Sequence, residues 1–332
     1  MAKAKHTILK VALTACLAAA LLALAACAKS ESNATTDVQQ TQDNMSSETS
    51  KTVNVSTDPF YVLLVGRDSR EGTPYYKTGN AHNYGDRSDT IMLMRVDPVK
   101  YQVTLVTVPR DTKATLDGET VKINEAHNRY GIEGTISAVK ELTGVSPDYY
   151  MEIKFTQFAE FINDMGGVNV DVPMTMTFDD ILNHNAKLTL EEGNHTLAGN
   201  EALVFARQRK QYADDQDACR QIQDRQIVQR IVEATSGQPA GNAETFANIL
   251  LSQVNTNMDK DVLVAYMQMF MANGKVNSFQ SGTGPYKGDI DEASGLWVAI
   301  RDEGTWSQVI AEVNAGGDPT DIVPLPVVEK GE

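Results

Sequence analysis

Three apolar runs between Phe60 and Asp111 limit what this chain can fold into, because each one borders a charged cluster. Phe60-Tyr-Val-Leu-Leu-Val65 runs into Gly66-Arg-Asp-Ser-Arg70. Arg87-Ser-Asp-Thr90 opens Ile91-Met-Leu-Met-Arg-Val96. Gln102-Val-Thr-Leu-Val-Thr-Val108 runs into Pro109-Arg-Asp111. Short β-rich runs bounded by Gly, Pro and Asp read as strands. The first is apolar almost throughout, as in a strand covered on both faces. Asp97-Pro-Val-Lys-Tyr101 is a connection of hairpin length, so the second and third runs read as antiparallel neighbours. Ligands of open α/β sheets bind at strand ends. Here those ends carry Asp68, Arg87, Asp89, Arg110 and Asp111. Acid and guanidinium at one mouth suggest a divalent metal beside a phosphate.

The remaining chain alternates strand and helix signals, which points to a layered α/β domain. Glu71 to Asp86 has turn chemistry and reads as a loop across the site mouth. Thr135–Leu142 reads as a helix, Tyr149–Phe155 as a strand, and Phe158–Met165 as a helix stopped by Gly166-Gly167. Val168–Val172 alternates as a strand, and Phe178–Asn194 reads as polar and irregular. Glu201–Ala206 is a short helix or turn. Arg207 and Arg209 follow it, and an extended backbone would aim both the same way. A helix over about Asp217–Ala234 carries an Ile/Val stripe, with Arg220 near its N-terminus. A cation there opposes the helix dipole unless an anion sits at that end. Beyond Gly237 the chain reads as structural cover: helices over Ala243–Asn255, Asp261–Ala272 and Trp306–Val313, and a strand over Lys275–Phe279. The run Met267–Met271 reads as core.

Composition narrows the function. Of 332 residues, 42% are hydrophobic and 22% charged, which is ordinary for a globular chain, and the net charge is −15. Lys3, Lys5 and Lys10 are the only charges before Cys27; without them the balance is 26 basic to 44 acidic residues. So acidic a chain is a poor general binder of nucleic acid. Arginines clustered within it therefore need a local reason. Of the three cysteines, Cys16 and Cys27 lie in the N-terminal apolar segment, so the folded domain keeps only Cys219 and has no internal disulfide. No Cys/His set has zinc spacing, and the five scattered histidines read as surface or loop residues.

The first 26 residues have a basic start, an Ala/Leu-rich middle and small residues before Cys27, the pattern of a secretory signal. Leu24-Ala-Ala-Cys27 resembles a bacterial lipobox, which implies cleavage before Cys27 and lipidation of its thiol. The alternative is an uncleaved membrane anchor. Either places the domain outside the cytoplasm, tethered to the membrane. Residues 27–57 are polar and read as a flexible tether.

Seven segments in order resemble the LytR–CpsA–Psr family of bacterial envelope proteins: 63–70, 87–90, 106–112, Lys-Ile-Asn-Glu-Ala (122–126), Gly-Gly-Val-Asn-Val-Asp-Val-Pro (166–173), Leu-Ala-Gly-Asn-Glu-Ala-Leu-Val-Phe-Ala-Arg-Gln-Arg (197–209) and Asp-Ala-Cys-Arg (217–220). The resemblance implies an α/β/α sandwich with a central mixed sheet flanked by helices. It implies a catalytic domain over 58–235, with 236–332 a mostly helical extension packed on it. Members transfer phosphorylated glycopolymers from a polyprenyl-diphosphate carrier to peptidoglycan. On that view Asp68 and Asp89 hold Mg²⁺ (or Mn²⁺). Arg87, Arg110, Lys122, Arg207, Arg209 and Arg220 surround the diphosphate. Arg110 and Asp111 are the catalytic pair, Asp111 either orienting an arginine or acting as base. The lipid tail implies an apolar tunnel between sheet and helices. The implied place is the outer face of the bacterial cytoplasmic membrane, with lipid anchoring through Cys27. The chain departs from the family where Gln223 and Asp224 replace the usual Arg-Gln pair, and in carrying a lipobox rather than a membrane helix. A polyprenyl-pyrophosphate hydrolase, a non-catalytic lipid-glycan-binding lipoprotein and a protein acceptor remain as alternatives.

Overall fold

The computed structural model describes residues 53–69, 71, 73, 86–184 and 186–331. The expected leader, Cys27, the tether as far as residue 52 and most of the loop expected over 71–86 lie outside the described residues.

The three apolar runs form β1 (Phe60–Arg67), β2 (Ser88–Asp97) and β3 (Gln102–Thr107). A hairpin of β4 (Lys113–Leu116) and β5 (Glu119–Lys122) leads into α1 (Glu125–Thr143). Then come β6 (Tyr149–Lys154), α2 (Phe155–Asp164) and β7 (Val168–Val172). The next strands are β8 (Met176–Asp180), β9 (Ala186–Leu190) and β10 (Gly193–Leu197), followed by α3 (Gly199–Arg207) and α4 (Gln216–Ser236). The chain continues through α5 (Ala243–Gln253), β11 (Asn255–Thr256), α6 (Lys260–Asn273) and β12 (Ser278–Thr283). A hairpin of β13 (Gly288–Ile290) and β14 (Trp297–Ala299) precedes α7 (Glu303–Ala315).

The central sheet is mixed, in the order β11-β6-β1-β2-β3-β12. β2 is antiparallel to both β1 and β3, while β6 and β12 run parallel to β1 and β3 respectively. Strand alternation sorts the side chains onto two faces. Leu63, Val65, Ile91, Leu93 and Val106 pack against Val139 and Leu142 of α1 and Trp306, Val309 and Val313 of α7. Phe60, Val62 and Val96 face the other way, toward Ala247 of α5 and Leu263 and Tyr266 of α6. Helices thus cover both faces, as the expected α/β/α layering requires.

Three sequence expectations change. Residues 178–194 are not irregular: β8 and β9 pair as an antiparallel hairpin, with Met176, Phe178 and Asp180 inward. The polar residues that disguised it sit on the outer face, apart from buried Asp180, which accepts a hydrogen bond from Asn200 Nδ2 at 2.9 Å. The strand expected over 275–279 lies at 278–283 and completes the central sheet. Residues 236–332 are therefore more than an extension laid on the domain. They supply two sheet strands and α7, within one compact unit that runs to the C-terminus.

One close approach sets the packing of α2 on α3. A Cβ built on Gly199 would stand 1.9 Å from the Ala159 carbonyl oxygen, so only glycine fits the first position of α3.

Ending the chain at Ser236 removes β12 and the fully buried Trp306. Lost core and sheet pairing of this extent exceed the roughly 5–15 kcal/mol that hold a domain together. The truncated chain is expected to lose its cooperative thermal transition in circular dichroism, and a sharp melt would show that residues 53–236 fold alone.

Candidate active site

The topology of β1–β3 builds one end of the site. Because β2 runs antiparallel to its neighbours, the exits of β1 and β3 meet the start of β2. Asp68 N donates to Arg87 O at 2.9 Å, and Val108 N to Ile91 O at 2.9 Å, which carries the pairing past the strand ends. Asp68, Asp89, Arg110 and Asp111 consequently line one cavity. Arg110 Nη1 lies 3.0 Å from Asp89 Oδ2 and its Nε 3.8 Å from Asp111. Asn124 Nδ2 donates to Asp89 Oδ1 at 3.2 Å. Lys122 Nζ lies 2.9 Å from Asp111 Oδ1, and Arg87 pairs with Glu125.

The N-terminal turns of α4 reach the same end. Asp217 Oδ1 lies 3.0 Å from Arg110 Nε and 3.2 Å from Arg220 Nε. Arg220 Nη2 donates to the Asp89 carbonyl at 3.1 Å, and Nη1 contacts Asp224 Oδ2 and Thr90 Oγ1. All the donor nitrogens of Arg220 thus meet protein acceptors. Burial works against charge here, yet the guanidiniums of Arg220 and Arg110 hold the Asp217 carboxyl well below the usual carboxylate range. Burial likewise opposes the charge on Arg220, but Asp217 and Asp224 push its pKa up. Burial pushes the Asp224 carboxyl up, and the Arg220 charge only partly offsets it. The sequence placed an anion beside Arg220 to answer the helix dipole. The structure supplies protein carboxylates and a strand carbonyl there.

Arg207 and Arg209 close the cavity from α3. Arg207 is the last residue of that helix, with its guanidinium 4.6 Å from the centre of the Phe155 ring. Gln208 is extended (φ −76°, ψ 131°), which carries Arg209 beyond the helix end. Arg209 makes no ion pair among the described residues. The six cations expected around a diphosphate all line this one cavity, together with Asp68 and Asp89. Sequence reasoning missed Asn124 and Asp217 as the partners that fix Asp89 and the arginines. Their signal was adjacency, since each stands inside a segment already singled out.

Away from the charged mouth the cavity, about 1110 Å³ in volume, is apolar. Leu64 and Met94 of the sheet face Phe158 of α2, Ile231 of α4, Leu250 of α5 and Phe270 of α6. Met267 and Met271, expected as core, line it too.

Beside the mouth lies a buried ionic cluster. Glu152 is 4% exposed; its Oε1 lies 2.6 Å from Arg67 Nη1 and 3.0 Å from His127 Nε2, and Asn255 Nδ2 donates to its Oε2 at 2.9 Å. His127, expected at the surface or in a loop, is buried on α1, with its other ring nitrogen 2.6 Å from the Asp86 carbonyl oxygen. Although burial opposes it, hydrogen bonds from His127 and Asn255 and the Arg67 charge bring Glu152 down to about 2. A carboxyl depressed on folding stabilises the native state above its unfolded value and loses that contribution as pH falls toward the folded one. Glu152 should therefore contribute on the order of 3 kcal/mol at neutral pH, fading as pH drops from about 4.5 toward 2. Urea midpoints at pH 6 and pH 3.5 are expected to differ more in the wild type than in Glu152→Gln.

Comparison with known proteins bears on this geometry. The profile of the LytR_cpsA_psr family matches residues 25–311. The polyisoprenyl-teichoic acid–peptidoglycan teichoic acid transferase TagU of Bacillus licheniformis is 26% identical over 262 residues, 77% of each chain. TagV of Bacillus subtilis, a transferase of the same description, is 27% identical over 68% of this chain and 57% of its own length. The crystal structure of B. subtilis TagV superposes with a TM-score of 0.63 at 23% identity, covering 82% of this chain and all of that one. TagT bound to LIIa-WTA gives 0.59 at 22% identity, over 83% of this chain and 94% of the other. With its profile matched over most of its length and the fold shared with solved relatives, the chain belongs to the LytR–CpsA–Psr family.

Proposed function

We propose that this protein transfers a phosphorylated glycopolymer from a polyprenyl-diphosphate carrier to peptidoglycan during cell wall biogenesis. The observation that carries this reading is the continuity of one cavity, with arginines and carboxylates at its mouth and an apolar space of about 1110 Å³ behind them. That volume exceeds the ordinary range for a small-molecule pocket. An isoprenoid tail suits the apolar space, and a diphosphate suits the mouth. The relatives named as teichoic acid transferases support the same chemistry.

In this reaction an acceptor hydroxyl attacks the phosphorus attached to the sugar. A new P–O bond forms as the hydroxyl gives up its proton to solvent or to the departing phosphate, the bond to the bridging oxygen breaks, and polyprenyl phosphate leaves with that oxygen and the electron pair. Positioning and charge neutralisation carry such a step. Arg209 and Arg207 grip the phosphate oxygens, for which a guanidinium fork is well matched. Arg110 is fixed by Asp89 and Asp217, so its charge is presented without reorganisation. Asp111, already paired with Lys122, serves better to orient those cations than to take a proton.

Asp68 and Asp89 fit a hard divalent cation: both are carboxylates on the cavity wall, and Mg²⁺ is commonly held by one or two carboxylates plus substrate phosphates. Mg²⁺ or Mn²⁺ bound there would neutralise charge on the phosphate. Lipidated Cys27 would keep the domain at the outer face of the cytoplasmic membrane, within reach of carrier and wall; a protein could replace peptidoglycan as acceptor.

The purified protein, incubated with a polyprenyl-diphosphate glycan and peptidoglycan, is expected to attach glycan to peptidoglycan, to stop with chelator and to resume with Mg²⁺ or Mn²⁺. Glycan phosphate released at the same rate without acceptor would favour a hydrolase instead. Arg209→Ala should lower kcat/KM about 100-fold, the scale of one charge-assisted phosphate contact. Met94→Trp should fill the apolar space and abolish use of long-chain carriers while leaving the fold intact, which competition between short- and long-chain donors would reveal.

A further inference from the structure

Asp224 is the one acidic side chain on α4 that reaches the cavity wall among the described residues. It is 6% exposed, and both its ties are through Oδ2: Thr90 Oγ1 donates to it at 3.0 Å, and Arg220 Nη1 contacts it. Oδ1 has no hydrogen-bond partner among the described residues. One turn further on, Ile227 and Val228 line the apolar space, so Asp224 stands where the charged mouth meets the tunnel.

The two carboxylates nearest Arg220 are held differently. Arg220 is shared by two carboxylates, Asp217 and Asp224, and Asp217 is shared in turn with Arg110, so these four side chains balance when all are ionised. Asp217 also binds Arg110, whereas Asp224 has Arg220 as its only ion-pair partner among the described residues. Arg220, meanwhile, is 6% exposed and its donors already meet Asp217, Asp224, Thr90 and the Asp89 carbonyl. The guanidinium that the sequence assigned to the ligand is thus spent on holding α4 to β2. Of the two carboxylates that share Arg220, Asp224 alone lines the cavity wall.

We infer that Asp224 is a specificity-determining residue of the phosphate site, which weakens the hold on a polyprenyl monophosphate and so favours its release after transfer. The inference rests on the transferase reading given above. A phosphate monoester concentrates about −1.5 to −2 charges on one phosphorus at neutral pH. A carboxylate on the adjoining wall opposes that species more than a diphosphate whose charge is spread over two centres. Asp224 would thereby let turnover continue in a cavity whose apolar walls otherwise retain the lipid.

The test measures binding of a polyprenyl monophosphate and of the uncharged polyprenol of the same length to the full chain with Mg²⁺. Asp224→Asn keeps the shape and removes the charge that the carboxylate carries above its raised pKa, so binding is measured on the alkaline side of neutrality. It should bind the monophosphate about tenfold more tightly, the effect of one charge removed at close range in a partly buried site, with polyprenol affinity unchanged. Monophosphate should also become a stronger inhibitor of transfer by a similar factor. Asp224→Gln is a second variant with the same expected sign, should the first fail to fold. Thr90→Val loosens Asp224 but leaves its charge, and should not tighten binding. Equal or weaker monophosphate binding by the folded Asp224 variants overturns the inference, as does tightening by Thr90→Val. A wild type that binds a polyprenyl diphosphate no more tightly than polyprenol removes the transferase reading, and this inference with it.

Discussion

The interlocked ion pairs of Arg110 and Arg220 hold the two halves of the site together. Arg110 belongs to the exit of β3 and Arg220 to α4, more than a hundred residues later. Asp217 touches both, at 3.0 and 3.2 Å, and Arg110 also reaches Asp89 at the start of β2. Each charge is partly or fully buried, so breaking one contact leaves a partner without compensation in a poorly solvated place. A lattice of this kind adds little net stability over an apolar packing of the same volume. What it provides is fixed geometry: α4 cannot drift from the sheet without separating several charges at once.

That fixed geometry lets a large cavity exist. Apolar side chains facing each other across a gap would ordinarily close it, because an empty apolar space forfeits dispersion contacts. Here the sheet and α4 are pinned at the mouth, while β11 and β12 tie the helices that follow to opposite edges of the sheet. Collapse would have to distort the strand pairing. Met94, Met267 and Met271 on the wall add a soft lining that can follow a flexible chain.

The sequence made the strand trio and its charged ends readable because each signal is local: a run of apolar residues, a turn residue and a charge side by side. The convergence of Asp68 and Asp89 with Arg207 and Arg220 also followed, once the segments were taken together. The state of Arg220 did not, since its partners Thr90 and the Asp89 carbonyl lie about 130 positions away and a carbonyl has no residue signature. The tunnel was legible only as a need, because a space between elements is written in no single one of them. The β8–β9 hairpin hid behind polar outward residues, and β12 behind a short, weakly apolar run whose partner β3 is far off in sequence. His127 looked like a surface or loop residue because its buried partner Glu152 lies on β6, 25 positions further along the chain.

The contact at Gly199 has a reach beyond its own neighbourhood. α3 begins there against the Ala159 carbonyl and ends at Arg207, eight residues and about 12 Å along the axis. A side chain at 199 would lever the helix off α2 and swing its far end, moving Arg207 and the backbone that carries Arg209. The position acts as the fulcrum of a short arm whose tip brings two cations to the cavity wall.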